Sequence, residues 1–323
     1  MIFLDGGLGH ELKGKTPIPK SSSPSKTTTT FLDGALANLE NPSVIVDIHR
    51  EYIRRAECNV ITSSNFVVTP HHLAKAGLSD DDDLLERLTR ASVSNAAEAR
   101  RLEGAGGVRI AGCLPPLGEA YRDAAMSTPN AISSYSILAS CLIDAGADLL
   151  LAETLTSTAE ALACVAASPP RFPLWVSFSL RDDLGATLRG GDDLASAASA
   201  AIALAARSDR KLEAILVNCS APASCEAGLR ALADLPGADD LGLGAYANGF
   251  RETTSQWLAP STDAALVENP SGDYDRDGLI TPEAYGRWAA RWAGVSPRVR
   301  IIGGCCGVGV AHMTEARRAV LGQ

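Results

Sequence analysis

The sequence predicts an α/β chain of the (β/α)8, or TIM, barrel class. Three observations carry that reading: eight short apolar runs bounded by Gly, Pro or polar clusters, Ala-rich segments of helical spacing between them, and no polar alternation inside the runs. Unbroken apolar runs suit parallel strands covered on both faces, and strict strand–helix alternation closes such strands into a barrel with helices outside. With 323 residues, 46% of them hydrophobic, the chain is long enough for one such domain spanning 1–323.

The first run, MIFLDGG (1–7), ends in Asp5, Gly6 and Gly7, and the Ser/Thr/Pro/Lys-rich residues 13–30 predict a long loop after it. The helical segment SVIVDIHREYIRRAE (43–57) leads to the second run, NVITSSNF (59–66), which finishes on Thr62, Ser63, Ser64 and Asn65. LLERLTRASVSNAAEARRLE (84–103) precedes VRIAGCLPP (108–116), and SYSILASCLIDAGA (134–147) precedes DLLLAET (148–154), which ends in Glu153 and Thr154. TAEALACVAAS (158–168) leads to PLWVSFSL (173–180), with Ser177 and Ser179 near its end. LASAASAAIALAAR (194–207) leads to EAILVNCS (213–220), which closes on Asn218, Cys219 and Ser220. SCEAGLRALADL (224–235) precedes LGLGAYANG (241–249), and a second long, turn-rich connection follows at 250–281, carrying Trp257 and Tyr274. TPEAYGRWAARWAG (281–294) then leads to VRIIGGCCG (299–307), and AHMTEARRAVLG (311–322) closes the chain. The long loops after strands 1 and 7 both leave the carboxyl ends of strands, where barrels build active sites, so a substrate-contacting role is expected of them.

The formal charge of −9 and the absence of a basic stripe exclude nucleic acid as a partner. No window reaches the roughly 18 apolar residues a membrane span needs, and no basic segment precedes an apolar one at the start, so a cytoplasmic protein is expected. In that compartment the eight cysteines are read as thiols and not as a disulfide framework. Nothing in the pattern speaks to oligomeric state.

In a barrel, strand ends converge on one rim, and there Cys219, Cys305 and Cys306 meet. Three thiolates suit zinc, which takes sulfur tetrahedrally and keeps a position open in catalytic sites, whereas Mg²⁺ and Ca²⁺ prefer oxygen. Gly303, Gly304 and Gly307 are expected to let the backbone turn so that both neighbouring thiols face one ion. Cys58, Cys141, Cys164 and Cys225, in helical patterns, and Cys113 are read as small buried hydrophobes. A competing reading makes GGCCGVG a phosphate cradle, in an enzyme or binding protein for a phosphorylated ligand. A third takes the thiols as a zinc store or redox sensor. Of the five histidines only His10 lies near the rim. The carboxylates Asp5 and Glu153 suggest glycoside hydrolysis, but that chemistry leaves the thiols without a task.

The segments LDGGLG, ITSSNF, GADLLLAET, WVSFS, VNCS, AYANG and IIGGCCG, in this order, resemble the homocysteine S-methyltransferases, zinc-dependent barrels that methylate the sulfur of homocysteine. The resemblance implies zinc on Cys219, Cys305 and Cys306, which makes these the catalytic residues. It implies homocysteine on Asp5, Gly6, Gly7 and Glu153, with Glu153 anchoring the substrate amino group, Asn65 near the bound amino acid, and Ser179 and Ser177 lining the pocket. It implies a small-molecule donor: a sulfonium, S-methylmethionine or S-adenosylmethionine. The chain is too short for folate and cobalamin domains, and Thr154 follows Glu153 where betaine-dependent relatives have an aromatic residue. A related thiol or selenol methyltransferase, with selenocysteine as acceptor, stays open.

Overall fold

The computed structural model describes residues 1–15, 28–81, 83–121, 128–183, 185–236, 238, 240–258 and 270–323. Strand β1 (Ile2–Phe3) is followed by α1 (Leu8–Lys15), α2 (Thr28–Glu40) and α3 (Pro42–Arg54); β2 (Val60–Thr62) is followed by α4 (Pro70–Lys75) and α5 (Leu84–Leu102). Single helices follow the next four strands: β3 (Arg109–Leu114) with α6 (Thr128–Asp144), β4 (Leu149–Leu155) with α7 (Thr158–Ala167), β5 (Pro173–Ser179) with α8 (Leu194–Arg207), and β6 (Lys211–Asn218) with α9 (Pro222–Ala233). Strand β7 (Gly242–Tyr246) leads through the short α10 (Thr254–Leu258) to α11 (Pro282–Ala293), and β8 (Val299–Ile302) leads to α12 (Val310–Leu321).

Each strand pairs in parallel with its neighbours in the order β1-β8-β7-β6-β5-β4-β3-β2. A further parallel bridge, Leu4 to Val60, joins the two ends and closes the barrel. All eight predicted strands are therefore present. Of the predicted loop 13–30, residues 13–15 and 28–30 belong to helices, and 16–27 lie outside the described residues. In the predicted loop 250–281, Phe250 bridges Leu279 and Tyr274 bridges Ile280, and residues 259–269 lie outside the described residues.

Local signals set the helix starts. Pro42, Pro70, Pro222 and Pro282 stand in first turns, where a missing N–H costs nothing. Thr69, Ser157, Asp193 and Thr281 cap their helices by accepting a backbone N–H two or three residues into the first turn.

The period of two along each strand decides what the barrel holds. Leu4, Val60, Ala111, Leu149, Leu151, Trp175, Ala214, Leu216, Tyr246 and Ile301 form an apolar cluster within the barrel, while their sequence neighbours Ile110, Leu150, Val176, Ile215 and Val217 join the larger core under the helices. Two residues beyond Ala111, Leu151, Trp175 and Leu216 the inward positions are Cys113, Glu153, Ser177 and Asn218. The barrel thus changes from apolar to polar within one layer, and that layer is the floor of the site.

Candidate active site

A cavity of about 1300 Å³ opens at the carboxyl ends of the strands. Asp5, Gly6, Gly7, Glu153, Cys219, Cys305 and Cys306 all line it, so seven of the nine residues predicted for the site share one wall. The other two do not. Asn65 is fully buried, donating to the Cys113 carbonyl at 3.0 Å and accepting from Ser63 Oγ at 2.6 Å; it ties the end of β2 to β3 beneath the cavity. Ser179 is also fully buried, its hydroxyl accepting from Arg189 Nε at 2.9 Å and facing the Cys219 carbonyl at 3.4 Å. Ser177 likewise spends its hydroxyl on Asn218 Oδ1, at 2.8 Å. The structure thus gives the polar groups of all three to protein partners and places Asn65 and Ser179 off the cavity lining, because strand-end height does not fix which way a side chain faces.

The three sulfurs of Cys219, Cys305 and Cys306 lie within 4.8 Å of one another. Cys305 Sγ is 2.8 Å from Cys219 Sγ, and Cys306 Sγ is 3.9 Å from it. Cys219 stands at φ +51°, a left-handed conformation that aims its thiol across the rim, where it donates to Asn248 Oδ1 at 3.2 Å. Burial pushes the Cys219 thiol up, while hydrogen bonds from the other two thiols hold Cys306 well below the usual thiol range.

The glycines of the eighth strand end do something other than expected. Only Gly307 is left-handed, at φ +79°. At Gly304 a Cβ would stand 2.3 Å from Val308 Cγ1, and at Gly7 it would stand 2.6 Å from the Cys305 carbonyl. These residues therefore bring the Cys305–Cys306 turn against the β1 loop by lacking a side chain. Gly304→Ala is expected to cost about 1–3 kcal/mol through overpacking, lowering the melting temperature by roughly 2–4 °C and loosening the thiol turn, as a thermal melt and cysteine accessibility would show.

Two carboxyls share the wall. Asp5 accepts from Thr62 N at 2.8 Å and Thr62 Oγ1 at 2.9 Å. Glu153 accepts from Cys113 Sγ at 3.0 Å and Tyr246 OH at 3.4 Å. Burial lifts Asp5 to about 7, with the charge of Glu153 adding to the rise against the Thr62 hydrogen bonds. Burial lifts Glu153 to about 7 as well. Two carboxyls held half-protonated at neutral pH form a receptor for a cation that would complete them. Thr154, next to Glu153, sits at φ +60°, its N–H held by Asn218 Oδ1 at 3.0 Å and its hydroxyl by Asn218 Nδ2 at 2.8 Å.

The phosphate reading meets an occupied helix end. The first free N–H of α12, that of Val310, donates to Glu11 Oε1 at 3.1 Å, so a carboxylate already fills the place an anion would take. His10 lines the cavity and tilts against Phe250, with ring centroids 5.2 Å apart. Tyr121, Asn248 and Arg189 escaped the list of site candidates. Tyr121 and Arg189 lie on loops with no periodicity to report their direction; Asn248 stands at the end of the seventh run, and only its height was legible.

A family model described as homocysteine S-methyltransferase matches residues 2–320. The chain belongs to the homocysteine S-methyltransferase family. It is 27% identical over 329 residues to homocysteine S-methyltransferase YbgG of Bacillus subtilis strain 168, a match covering 95% of this chain and 90% of that protein. It is 32% identical over 196 residues to homocysteine S-methyltransferase of Escherichia coli K12, covering 56% of this chain and 59% of that protein. Among solved structures, the metallated form of the homocysteine methyltransferase MmuM from Escherichia coli superposes with a TM-score of 0.72 at 26% identity, covering 98% of this chain and 96% of that one. Its oxidised form gives 0.73 at 25% identity, over 98% and 95%. Membership of the homocysteine S-methyltransferase family makes the chain a methyltransferase. Among the described residues no helix is long and apolar enough to cross a membrane.

Proposed function

We propose that the chain transfers a methyl group from a sulfonium donor, S-methylmethionine before S-adenosylmethionine, to the thiol of L-homocysteine, giving methionine in a zinc-dependent reaction. The observation that carries the reading is the juxtaposition of three thiols with two buried carboxyls on the wall of one cavity. Three soft sulfur donors within 4.8 Å fit zinc and suit neither Mg²⁺ nor Ca²⁺. When bound by Cys219, Cys305 and Cys306, zinc supplies a Lewis-acid centre that keeps an incoming thiol as thiolate at neutral pH.

The chain's own residues do the rest. Glu153, with Asp5 beside it, takes the ammonium of homocysteine, and the match of opposite charges draws both carboxyls into their ionised form. Gly6 and Gly7 bring backbone close to the same substrate. The cavity lining also carries the rings of Phe66, Phe250 and Trp257, aromatic faces that suit a cationic donor. Such a donor leaves as a neutral thioether, so no general acid is required, and alignment with exclusion of water supplies the rate. The same cluster would accept a selenol in place of a thiol.

The thiols need a reducing compartment, and the cytoplasm is the setting that this reading assigns. The deciding experiment measures metal content by elemental analysis and turnover of homocysteine with S-methylmethionine, S-adenosylmethionine and betaine in parallel. The expected result is one zinc per chain and turnover in the order S-methylmethionine, S-adenosylmethionine, then no reaction with betaine. Turnover with betaine alone would reverse the donor assignment.

A further inference from the structure

We propose that Tyr121, held by the buried Asp182–Arg189 ion pair, is a positioning residue of the thiol cluster: its hydroxyl hydrogen-bonds to the sulfur of Cys219 and fixes how that sulfur faces the cavity. Tyr121 OH is 3.0 Å from Cys219 Sγ and 3.9 Å from Cys306 Sγ. It reaches them from φ +70°, a left-handed conformation that a bulky aromatic residue adopts only where its surroundings enforce it. Arg189 packs on the ring, its guanidinium carbon 5.5 Å from the centre of Tyr121.

Arg189 is itself locked. Its side chain is 3% exposed, and its ion-pair partner Asp182 is fully buried. The guanidinium donates to Asp182 at 3.2 Å, Ser179 Oγ at 2.9 Å, Ser255 Oγ at 3.2 Å and the Cys219 carbonyl at 3.5 Å. Asp182 also accepts from Ala221 N at 2.8 Å and Ser255 N at 3.0 Å. One ion pair therefore grips the loops after β5, β6 and β7, and touches Cys219 from two sides: through its backbone, and through the Tyr121 ring and hydroxyl. A buried pair brings little net stability, so a full set of partners converging on one cysteine points to orientation of that cysteine as its task. Groups that hold a metal ligand from behind typically set affinity or activity by about 10- to 100-fold.

The inference rests on the cluster holding a metal, and the experiment separates the two claims. In the cobalt-loaded full chain, Tyr121→Phe and Arg189→Met are each expected to shift the sulfur-to-cobalt charge-transfer absorption and to weaken cobalt retention about 10- to 100-fold. The double variant should do no worse than either single one, and Arg189→Lys should recover part of the effect. An unmoved absorption in a folded Tyr121→Phe variant overturns the proposal. If the unsubstituted chain shows no such absorption, the metal reading falls instead. Alkylation of Cys219 by iodoacetamide in the metal-free chain, located by mass spectrometry, then decides the hydrogen bond by itself: a several-fold altered rate in Tyr121→Phe supports it, and an identical rate overturns it.

Discussion

Cys305→Ala is expected to lose bound zinc and, with it, at least about a thousandfold in methyl transfer. Apparent binding free energies at sulfur-rich zinc sites run to about 10–16 kcal/mol, so removing one of three protein ligands forfeits roughly 3–5 kcal/mol, or two to four decades of affinity. Cys305 is the sharpest choice because its sulfur is the nearest to Cys219, at 2.8 Å, and because its loss leaves Cys306 and Cys219 at 3.9 Å. Cys141→Ala serves as the control. Cys141 is buried in α6 away from the cavity, so that variant should keep its zinc and lose about 1 kcal/mol of stability at most. Elemental analysis and initial rates of methionine formation check both, and a Cys305→Ala preparation with full zinc and full turnover would remove the metal from the mechanism.

The cysteines were legible in the sequence because barrel topology converts sequence separation into position. Cys219 and Cys305 are 86 residues apart, yet both stand just past the ends of strands two places apart in one sheet. Asp5 and Glu153 were legible for the same reason, since each is the first polar residue to interrupt an apolar run, Asp5 just past β1 and Glu153 near the end of β4. Topology fixes height along the barrel and leaves side-chain direction to local geometry. Asn65 stands at the right height and turns under β3, where the Cys113 carbonyl takes its amide; Ser179 points inward and is covered by Arg189. Arg189 itself, a charged residue in a turn of a polar loop, carries no sequence signal of its 3% exposure. Left-handed Thr154 and Cys219 were equally invisible: neither residue type favours that conformation, and only the packed rim imposes it. For Gly303 and Gly304 the sequence indicated freedom to turn, and the structure replaces freedom with contact, because a Cβ at Gly303 would lie 2.8 Å from Leu4 Cβ.

The second large effect is expected at Glu153, where stability and function should move in opposite directions. In the unfolded chain the carboxyls of Asp5 and Glu153 ionise near pH 4, whereas the folded chain holds both protons up to about pH 7. Between those values the native state binds more protons than the unfolded state, so these two groups make stability fall as pH rises. Above pH 7 the full cost is present, on the order of a few kcal/mol. Glu153→Gln carries no charge, keeps an oxygen for Cys113 and Tyr246, and relieves Asp5 of a like-charged neighbour. Its melting temperature should therefore exceed that of the unsubstituted chain above pH 7 and match it near pH 4. Under the proposed function binding moves the opposite way: with the substrate ammonium on the Glu153 carboxylate, KM for homocysteine should rise about 10- to 100-fold, the worth of a buried charged hydrogen bond. In the unsubstituted chain kcat/KM should climb with pH through about 7 as the pair ionises, and in Glu153→Gln that limb should flatten. Melting curves and a pH–rate profile test both halves. An unchanged KM in Glu153→Gln would move the ammonium elsewhere and leave Asp5 as its remaining anchor on the described wall of the cavity.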